Sequence, residues 1–405
     1  MHKRIEWALT HMRVLAEVRE QMRKSGFLKG KKIAMALHVE AKTAALAITL
    51  ASAGAEIAIT SCNPLTTDPP VAASLSEMNG IKCYARKFET TNEYYEALHK
   101  VLDIEPDILI DDGADLIKLV HTERRELLDN IRGANEETTT GVQRLRAMEK
   151  EKILQFPVFD VNDAKMKHLF DNRYGTGQST FDGIFSATNL LIAGKTVVVA
   201  GYGWCGRGIA MRARGLGADV IVTEVDPVKA IEARMDGFRV MSMERAIEEA
   251  DFVITATGCK DVVTVKQLLK AKNGLVLANA GHFDVEIPRA KIEKIAIQKR
   301  EVREHTVEYT LPNLKKVYLL AEGRLVNLVA GQGHPVEIMD LSFAIQALCA
   351  EELAAEHENL EAKVYPVPNE IDEKVAFLKL KELGIEIDHL TKAQKHYLES
   401  WREGT

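Results

Sequence analysis

Lys195 to Glu224 constrains this chain more than any other stretch. It begins Lys195-Thr-Val-Val-Val-Ala200, enters Gly201-Tyr202-Gly203-Trp204-Cys205-Gly206-Arg207-Gly208, continues as an amphipathic run and closes on a second strand ending at Glu224. A β-branched strand, a Gly-x-Gly-x-x-Gly turn and a helix form the dinucleotide fingerprint, because the glycines let the backbone turn sharply and approach a pyrophosphate lying on free helix N–H groups. The other reading is a tight turn in an α/β domain with no ligand. Glu224 lies 23 positions after Gly201, close to the spacing of about 20 for a ribose-binding acid. A carboxylate there accepts from ribose hydroxyls and repels a 2′-phosphate, which favours NAD over NADP.

The 405 residues exceed one ordinary core, so two or three domains are expected. With 53 basic and 59 acidic side chains the net charge is −6, which argues against a broad nucleic-acid or anionic-membrane footprint and points to a small substrate. Cys62, Cys83, Cys205, Cys259 and Cys349 are scattered, without a Cys-x-x-Cys pair. Neither a disulfide framework nor a structural zinc site is indicated, and a reducing, cytoplasmic location is expected. The charged N-terminus has no apolar stretch of a signal peptide, and no run is long enough to span a membrane.

Residues 1 to about 25 read as one amphipathic helix, with Ile5, Leu9, Met12, Leu15, Val18 and Met22 on a face. Alternating strand and helix patterns from Lys31 to Ile110 imply a parallel sheet of βαβ units, a first α/β domain preceding the nucleotide fold. A helix is expected from near Glu137 to Lys152. Gly175-Thr176-Gly177-Gln-Ser179 suggests a bend or hinge. Alternation resumes after Glu224, through the strand ending at Asn279-Ala280-Gly281-His282, and Lys316 to Ala330 supplies two further strand-like runs. Gly331-Gln-Gly333-His334-Pro335 looks like a second hinge, and the apolar run Met339 to Ala355 implies a return to the first domain. The expected fold is therefore α/β, with two doubly wound parallel-sheet domains: a discontinuous substrate domain (1–177 and 334–366), an NAD-binding Rossmann domain (178–333) and a small helical tail (367–405).

Open α/β sheets bind ligands at the C-terminal ends of their strands. His38, Ser61-Cys62-Asn63 and Asp111-Asp112-Gly113 follow strand patterns in the first domain. Each alone is a cap or turn residue; three together point to a cleft. Lys167 and Asp171, spaced i and i+4, share a face if helical, where they either share a substrate hydroxyl or form a surface ion pair. His282 follows a strand of the nucleotide fold, where an imidazole can move protons. His334 acts in catalysis or as a gate. No metal-ligand cluster is evident, and no metal is expected.

Read together, these segments resemble the S-adenosyl-L-homocysteine hydrolase (adenosylhomocysteinase) family over nearly the whole chain. The matching runs include Leu37-His38, Leu109-Ile-Asp-Asp112-Gly, Gly133-Ala-Asn-Glu136-Glu137-Thr138-Thr139-Thr140-Gly, Val161-Asn-Asp163, Phe170-Asp171-Asn172, Thr223-Glu224-Val-Asp-Pro227, Ala256-Thr-Gly258-Cys, Gly281-His282-Phe-Asp-Val-Glu286, Leu320-Ala-Glu322-Gly-Arg-Leu-Val-Asn327-Leu and Gly333-His334-Pro335. The resemblance implies reversible hydrolysis of a nucleosyl-homocysteine thioether to nucleoside and L-homocysteine. Bound NAD transiently oxidises the ribose 3′-hydroxyl, homocysteine is eliminated, water adds at C5′, and the ketone is reduced again. Closure about hinges near 175–180 and 331–335 would exclude water.

Carried over by position, the resemblance gives Lys167 and Asp171 to the 3′-hydroxyl, and Asp112 and His38 to the 4′ proton and the 5′ leaving group or water. Asn172 and His282 would line the nicotinamide side. A lysine base needs a lowered pKa, expected from desolvated, cationic surroundings. Glu137, Glu40, Lys42, His334, Met339 and Phe343 would face substrate. Thr138, Thr139, Thr140, Gly201, Gly203, Trp204, Cys205, Gly206, Arg207, Gly208, Glu224, Lys229, Ala280, Gly281, His282 and Asn327 would face NAD. A homotetramer is implied in the same way, with no nucleic-acid or membrane partner.

Departures from the family pattern are as informative. The Cys usual after the Asp-Asn pair is Thr176 here. The loop Gly-Asp-Val-Gly-Lys-Gly reads Gly203-Trp204-Cys205-Gly206-Arg207-Gly208, an Asn expected after Glu-x-Asp-Pro-x is Lys229, and the long form's C-terminal Lys and Tyr are missing from a chain ending at Thr405. Most consequential, the Thr and Glu expected two and four residues after His38 are Glu40 and Lys42. Adenine offers an amino donor; hypoxanthine offers a carbonyl acceptor and a ring N–H. Lys42 and Glu40 suit the deaminated base, S-inosyl-homocysteine, unless they merely rearrange at a helix start with adenine still accepted. Two other classes are a non-enzymatic NAD-binding regulator, which would be expected to lose some of His38, Asp112, Lys167, Asp171 and His282, and a dehydrogenase that releases NADH.

Overall fold

The computed structural model describes residues 1–402, so the last three residues of the expected tail lie outside the described residues. The first strands are β1 (Lys32–Ala36), β2 (Glu56–Thr60), β3 (Ile81–Cys83), β4 (Ile108–Asp111), β5 (Gly133–Glu136) and β6 (Val158–Asp160). Then come β7 (Thr196–Ala200), β8 (Asp219–Thr223), β9 (Arg239–Val240), β10 (Phe252–Thr255), β11 (Leu275–Asn279), β12 (Gln298–Arg303), β13 (Thr306–Thr310), β14 (Lys316–Leu320) and finally β15 (Val364–Pro366).

Two sheets result, ordered β15-β6-β5-β4-β1-β2-β3 and β12-β13-β14-β11-β10-β7-β8-β9. The first is parallel throughout, and the second is parallel except for the β12–β13–β14 meander. Each reverses winding direction once, between β1 and β4 and between β7 and β10, and such switch points are where the ends of strands open a crevice for ligands. The strands read as continuous apolar runs because helices cover both faces. Ile33, Met35 and Ile57 sit in one core of the first sheet, Ala34, Ala36 and Leu109 in the other.

The chain returns to the first sheet through the helix Val336–Glu356 and β15, whose register pairs Val364 with Val158. Among the described residues no helix is long and apolar enough to cross a membrane.

Several elements differ from the sequence expectation. The N-terminal run is two helices, Lys3–His11 and Arg13–Ser25, broken at Met12. The second has no local side-chain cap; Asp340 accepts from the Val14 and Leu15 N–H groups at 3.1 and 2.8 Å instead. Residues 175–179 do not bend. A π-helical turn over His168–Gly175 runs straight into the helix Thr176–Thr188. Its glycines allow close approach: a Cβ at Gly177 would lie 2.6 Å from the Gly208 carbonyl, and one at Gly183 would lie 2.3 Å from that of Val326. Only one of the strand-like runs in 316–330 is a strand, β14; the other is the short helix Val326–Val329.

Candidate active site

β1 and β4 are parallel neighbours in which Ala36 pairs with Asp111, so the residues that follow emerge side by side at the switch point. His38 Nε2 lies 3.4 Å from Asp112 Oδ2. His282, which follows β11 of the other sheet, places Nδ1 3.4 Å from Asp112 Oδ1. That approach requires glycine at 113, which has φ +102°, because a Cβ there would stand 2.5 Å from His282 Nε2. Thr66 Oγ1 lies 2.7 Å from His38 Nδ1, and Cys62 Sγ lies 3.4 Å from the same nitrogen and 3.6 Å from Asp112 Oδ2. Burial pushes the His38 pKa down to about 4, against the opposing pull of Asp112. The imidazole is thus neutral at physiological pH and able to accept a proton. The ligand atoms of His38, Asp112 and His282 all fall within 4.8 Å of one another, a spacing a metal ion could bridge.

The second cluster is built by the π-helical turn, whose i to i+5 spacing brings Lys167 beside Asn172. Lys167 Nζ donates to Asn172 Oδ1 at 2.9 Å and to Asn162 Oδ1 at 3.5 Å, and lies 3.4 Å from both Asp171 Oδ1 and Glu137 Oε1. Ser342 donates to Asp171 Oδ2 at 2.8 Å and Gln346 to Glu137 Oε2 at 2.6 Å. His334 Nε2 closes the group 3.3 Å from Asp171 Oδ1.

The electrostatics of Lys167 differ from expectation. Burial disfavours its ammonium, but Asp171 and Glu137 outweigh burial and hold the pKa above the ordinary lysine value. Its neighbours are carboxylates, not cations. Burial likewise opposes charge on Asp171, yet Lys167 and His334 hold it well below the usual carboxylate range. Burial pushes Glu137 up to about 8, only partly offset by Lys167.

Of the residues expected to face NAD, the glycine loop and Glu224 follow β7 and β8 at the switch point of the second sheet. Gly201 has φ +98°, a Cβ on Gly206 would stand 1.9 Å from the Gly201 carbonyl, and one on Gly208 would stand 1.7 Å from that of Arg173. The space before Gly203 is open, and the helix Trp204–Gly215 starts there without a side-chain cap, leaving N–H groups for an anion. Glu224 sits at the end of β8 with Oε2 accepting from Tyr202 N–H at 2.6 Å and Oε1 from Val225 N–H at 2.7 Å. Thr140 Oγ1 and Asn327 Oδ1 are buried without a partner. Two orphaned buried acceptors and an open glycine cradle fit a dinucleotide.

Thr138 N–H donates to Glu136. Ala280 is buried, and a Cβ on Gly281 would collide with Glu286. Trp204 stacks on His168 and on the Arg207 guanidinium, and Thr176 Oγ1 donates to Cys205 Sγ at 3.6 Å. Thr139 is exposed, and Lys229 turns to Asp226 at 3.8 Å. Met339 and Phe343 pack with the apolar core of the first sheet; Ser342 and Gln346 are the members of their helix that reach the polar cluster. These two and Asn162 were missed from sequence. Polar residues four apart in an otherwise apolar helical run were the available signal for the pair.

A cleft of about 1150 Å³ opens between the two sheets, walled by Glu40, Lys42, Thr66, Ser179, Gln332 and His334. Glu40 caps the helix Ala41–Ser52, accepting from the Thr43 and Lys42 N–H groups. Lys42 Nζ lies 2.8 Å from Glu40 Oε2 and donates to the Gln332 carbonyl across the cleft at 2.9 Å. His334 Nδ1 lies 3.0 Å from Ser179 Oγ.

Residues 1–127 match the family described as S-adenosyl-L-homocysteine hydrolase, and residues 172–333 match the NAD binding domain of that family. S-inosyl-L-homocysteine hydrolase of Methanocaldococcus jannaschii is 63% identical over 403 residues, covering 100% of this chain and 97% of that protein. Adenosylhomocysteinase of Thermoplasma acidophilum is 62% identical over 402 residues, covering 99% and 98%. S-inosyl-L-homocysteine hydrolase of Methanopyrus kandleri is 58% identical over 402 residues, covering 99% and 95%. Relatives with either name stand at nearly the same identity, so likeness alone does not choose a base. The matched domains and the extent of the likeness agree: this chain belongs to the S-adenosyl-L-homocysteine hydrolase family, with that family's NAD-binding domain.

Proposed function

We propose that the protein hydrolyses, reversibly, the thioether of a purine-nucleosyl homocysteine to nucleoside and L-homocysteine, and that hypoxanthine is the preferred base. The observation that carries the reaction is the pairing of two buried proton-handling clusters, Lys167–Asp171–Glu137 and His38–Asp112–His282, beside one dinucleotide cradle. The glycine loop Gly201–Gly208 and the uncapped helix start at Trp204 would hold NAD, which would supply a hydride acceptor and donor for ribose C3′ and leave a turnover redox-neutral.

Lys167 exchanges a proton with the ribose 3′-oxygen, and Asn172 and Asn162 fix the direction of its ammonium. The carboxylates that raise its proton affinity must be partly neutralised before the amine acts as a base. Ribose hydroxyls hydrogen-bonded to Glu137 act in that direction. The 4′ proton passes to Asp112, and the thiolate leaves C5′ with a proton from the Asp112–His38–His282 group. Water then adds at C5′, its proton passing to the same group and from there to C4′, which restores the group. His334, held by Ser179, Thr176 and Asp171, forms the wall that excludes solvent.

Base preference rests on Lys42. Its ammonium donates to the Gln332 carbonyl and pairs with Glu40 Oε2 at 2.8 Å, and its side chain is only 7% exposed. An N–H not used on Gln332 suits a base carbonyl. An adenine amino group there would set donor against donor, at a cost of about 1–3 kcal/mol for unpaired buried groups. A homotetramer is proposed too, supported by Val225, Val228, Ile231 and Met235, which stand exposed on and just before one helix; light scattering at about four chain masses would agree, and one chain mass would not. The free cysteines are in keeping with a reducing cytoplasm.

The reaction is tested by mixing the protein as purified with the thioether and no added cofactor. Multiple turnovers of thiol release without accumulating NADH are expected. A requirement for stoichiometric external NAD⁺ would instead mark a dehydrogenase, and bound NAD with no thiol release would mark a regulator.

A further inference from the structure

Glu136, the last residue of β5, is fully buried and lies outside the clusters described above. Its Oε1 accepts from the Gly113 N–H at 2.8 Å and the Thr138 N–H at 3.0 Å, and its Oε2 accepts from the Ala114 N–H at 3.0 Å. Gly113 and Ala114 both have positive φ, +102° and +61°. An alanine in that region is strained, so this turn needs external support. Beside it, Asp111 accepts from the Asp112 N–H at 2.9 Å and the Ile117 N–H at 2.8 Å, and Arg144 donates to the Gly113 carbonyl and, at 2.8 Å, to Asp115. The helix starting at Thr139 carries glycine at 141, where a Cβ would stand 2.2 Å from the Glu136 carboxyl. The space around this carboxylate is fitted to it.

We infer that Glu136 is a positioning residue for Asp112: its two carboxyl oxygens fix the left-handed turn that aims Asp112 between His38 and His282, and tie that turn to the segment bearing Glu137 and Thr138. Two of its three bonds go to the Asp112 turn, so the 4′-proton step depends on it more than the hydride step served by the Lys167 cluster. Only the Thr138 bond touches the cofactor side. The inference rests on the proposed reaction.

The test is Glu136→Gln in the full-length holoenzyme, an isosteric change that turns one acceptor into a donor facing an N–H. Two readouts are taken with nucleoside: bound-nicotinamide reduction at 340 nm, and exchange of the 4′ hydrogen with D₂O. Exchange is expected to fall by about 10–100-fold, the range for a small misplacement of a reacting group, while NAD reduction stays within about threefold. Gly141→Ala, which crowds the carboxyl but keeps both of its oxygens, is expected to show the same split and carries the test if Glu136→Gln fails to fold. Unchanged exchange in a folded variant, or equal losses in both readouts, would overturn the inference. If the unaltered protein shows neither reduction nor exchange, the proposed reaction fails instead.

Discussion

Asp372 holds the turn that carries Lys167: its Oδ2 accepts from the Lys165 N–H and its Oδ1 from the Met166 N–H, each at 2.7 Å. The helix Asn369–Glu382 thus supplies a remote N-cap, since Ala164 at the cap position has no side-chain acceptor. Asp372→Ala is expected to cost about 1–2 kcal/mol of stability, the usual size of a lost cap. It should lower kcat by about 10-fold or more through misplacement of the amine, with little change in KM. Thermal unfolding together with steady-state kinetics checks both parts; unchanged kcat would separate the C-terminal helix from the site.

The glycines of the helix Thr176–Thr188 make a second prediction. Gly183→Ala must push a methyl toward the Val326 carbonyl, 2.3 Å from the ideal Cβ, and backbone cannot give way as a side chain can. A loss of about 1–3 kcal/mol is expected. Gly177→Ala, facing the Gly208 carbonyl at 2.6 Å, should also reduce NAD content after purification, which absorbance of the released cofactor measures.

Replacing Glu40 and Lys42 together by the Thr and Glu of the family pattern should invert base preference. The ammonium now 2.8 Å from Glu40 and bonded to Gln332 is removed, and a carboxylate able to accept from an amino group takes its place. A shift of about 10-fold or more in the ratio of kcat/KM toward the adenosyl thioether is expected. An unchanged ratio would reduce the pair to a helix-start arrangement.

His38 gives a pH prediction. Its folded pKa of about 4 lies below the ordinary 6.5, because burial disfavours the imidazolium. The unfolded chain therefore binds more protons between those values, so stability rises with pH there. This contribution is complete above about pH 6.5 and is lost as pH falls through 4. His38→Asn should flatten the acid limb of unfolding free energy by at most about 3 kcal/mol between pH 7 and 4. Denaturant melts at several pH values measure it, and parallel curves for the two proteins would contradict it.

Much of this fold is legible in sequence because parallel strands buried on both faces leave continuous apolar runs, as at Ile108-Leu-Ile110 and Val197-Val-Val199. β5, Gly133-Ala-Asn-Glu136, escapes because no β-branched residue marks it; pairing with both β4 and β6 makes it a strand. Gly175 and Gly177 read as a bend because glycine permits both bending and close packing, and the close packing shows only in the neighbouring carbonyl and His334. In the site, side chains at strand ends such as His38 and Asp112 were legible from their position. The carboxylate surroundings of Lys167 were not, since Glu137 lies 30 residues earlier in the chain.

The most direct measurement compares kcat/KM for S-inosyl- and S-adenosyl-L-homocysteine on the protein as purified, with no NAD added. The wall built by Lys42 and Glu40 predicts homocysteine release from both or from the inosyl thioether alone, with the inosyl value higher by about 10-fold or more, and no accumulation of NADH. A strong adenosyl preference would contradict the base assignment, and release that stops without external NAD⁺ would contradict the resident-oxidant reaction itself.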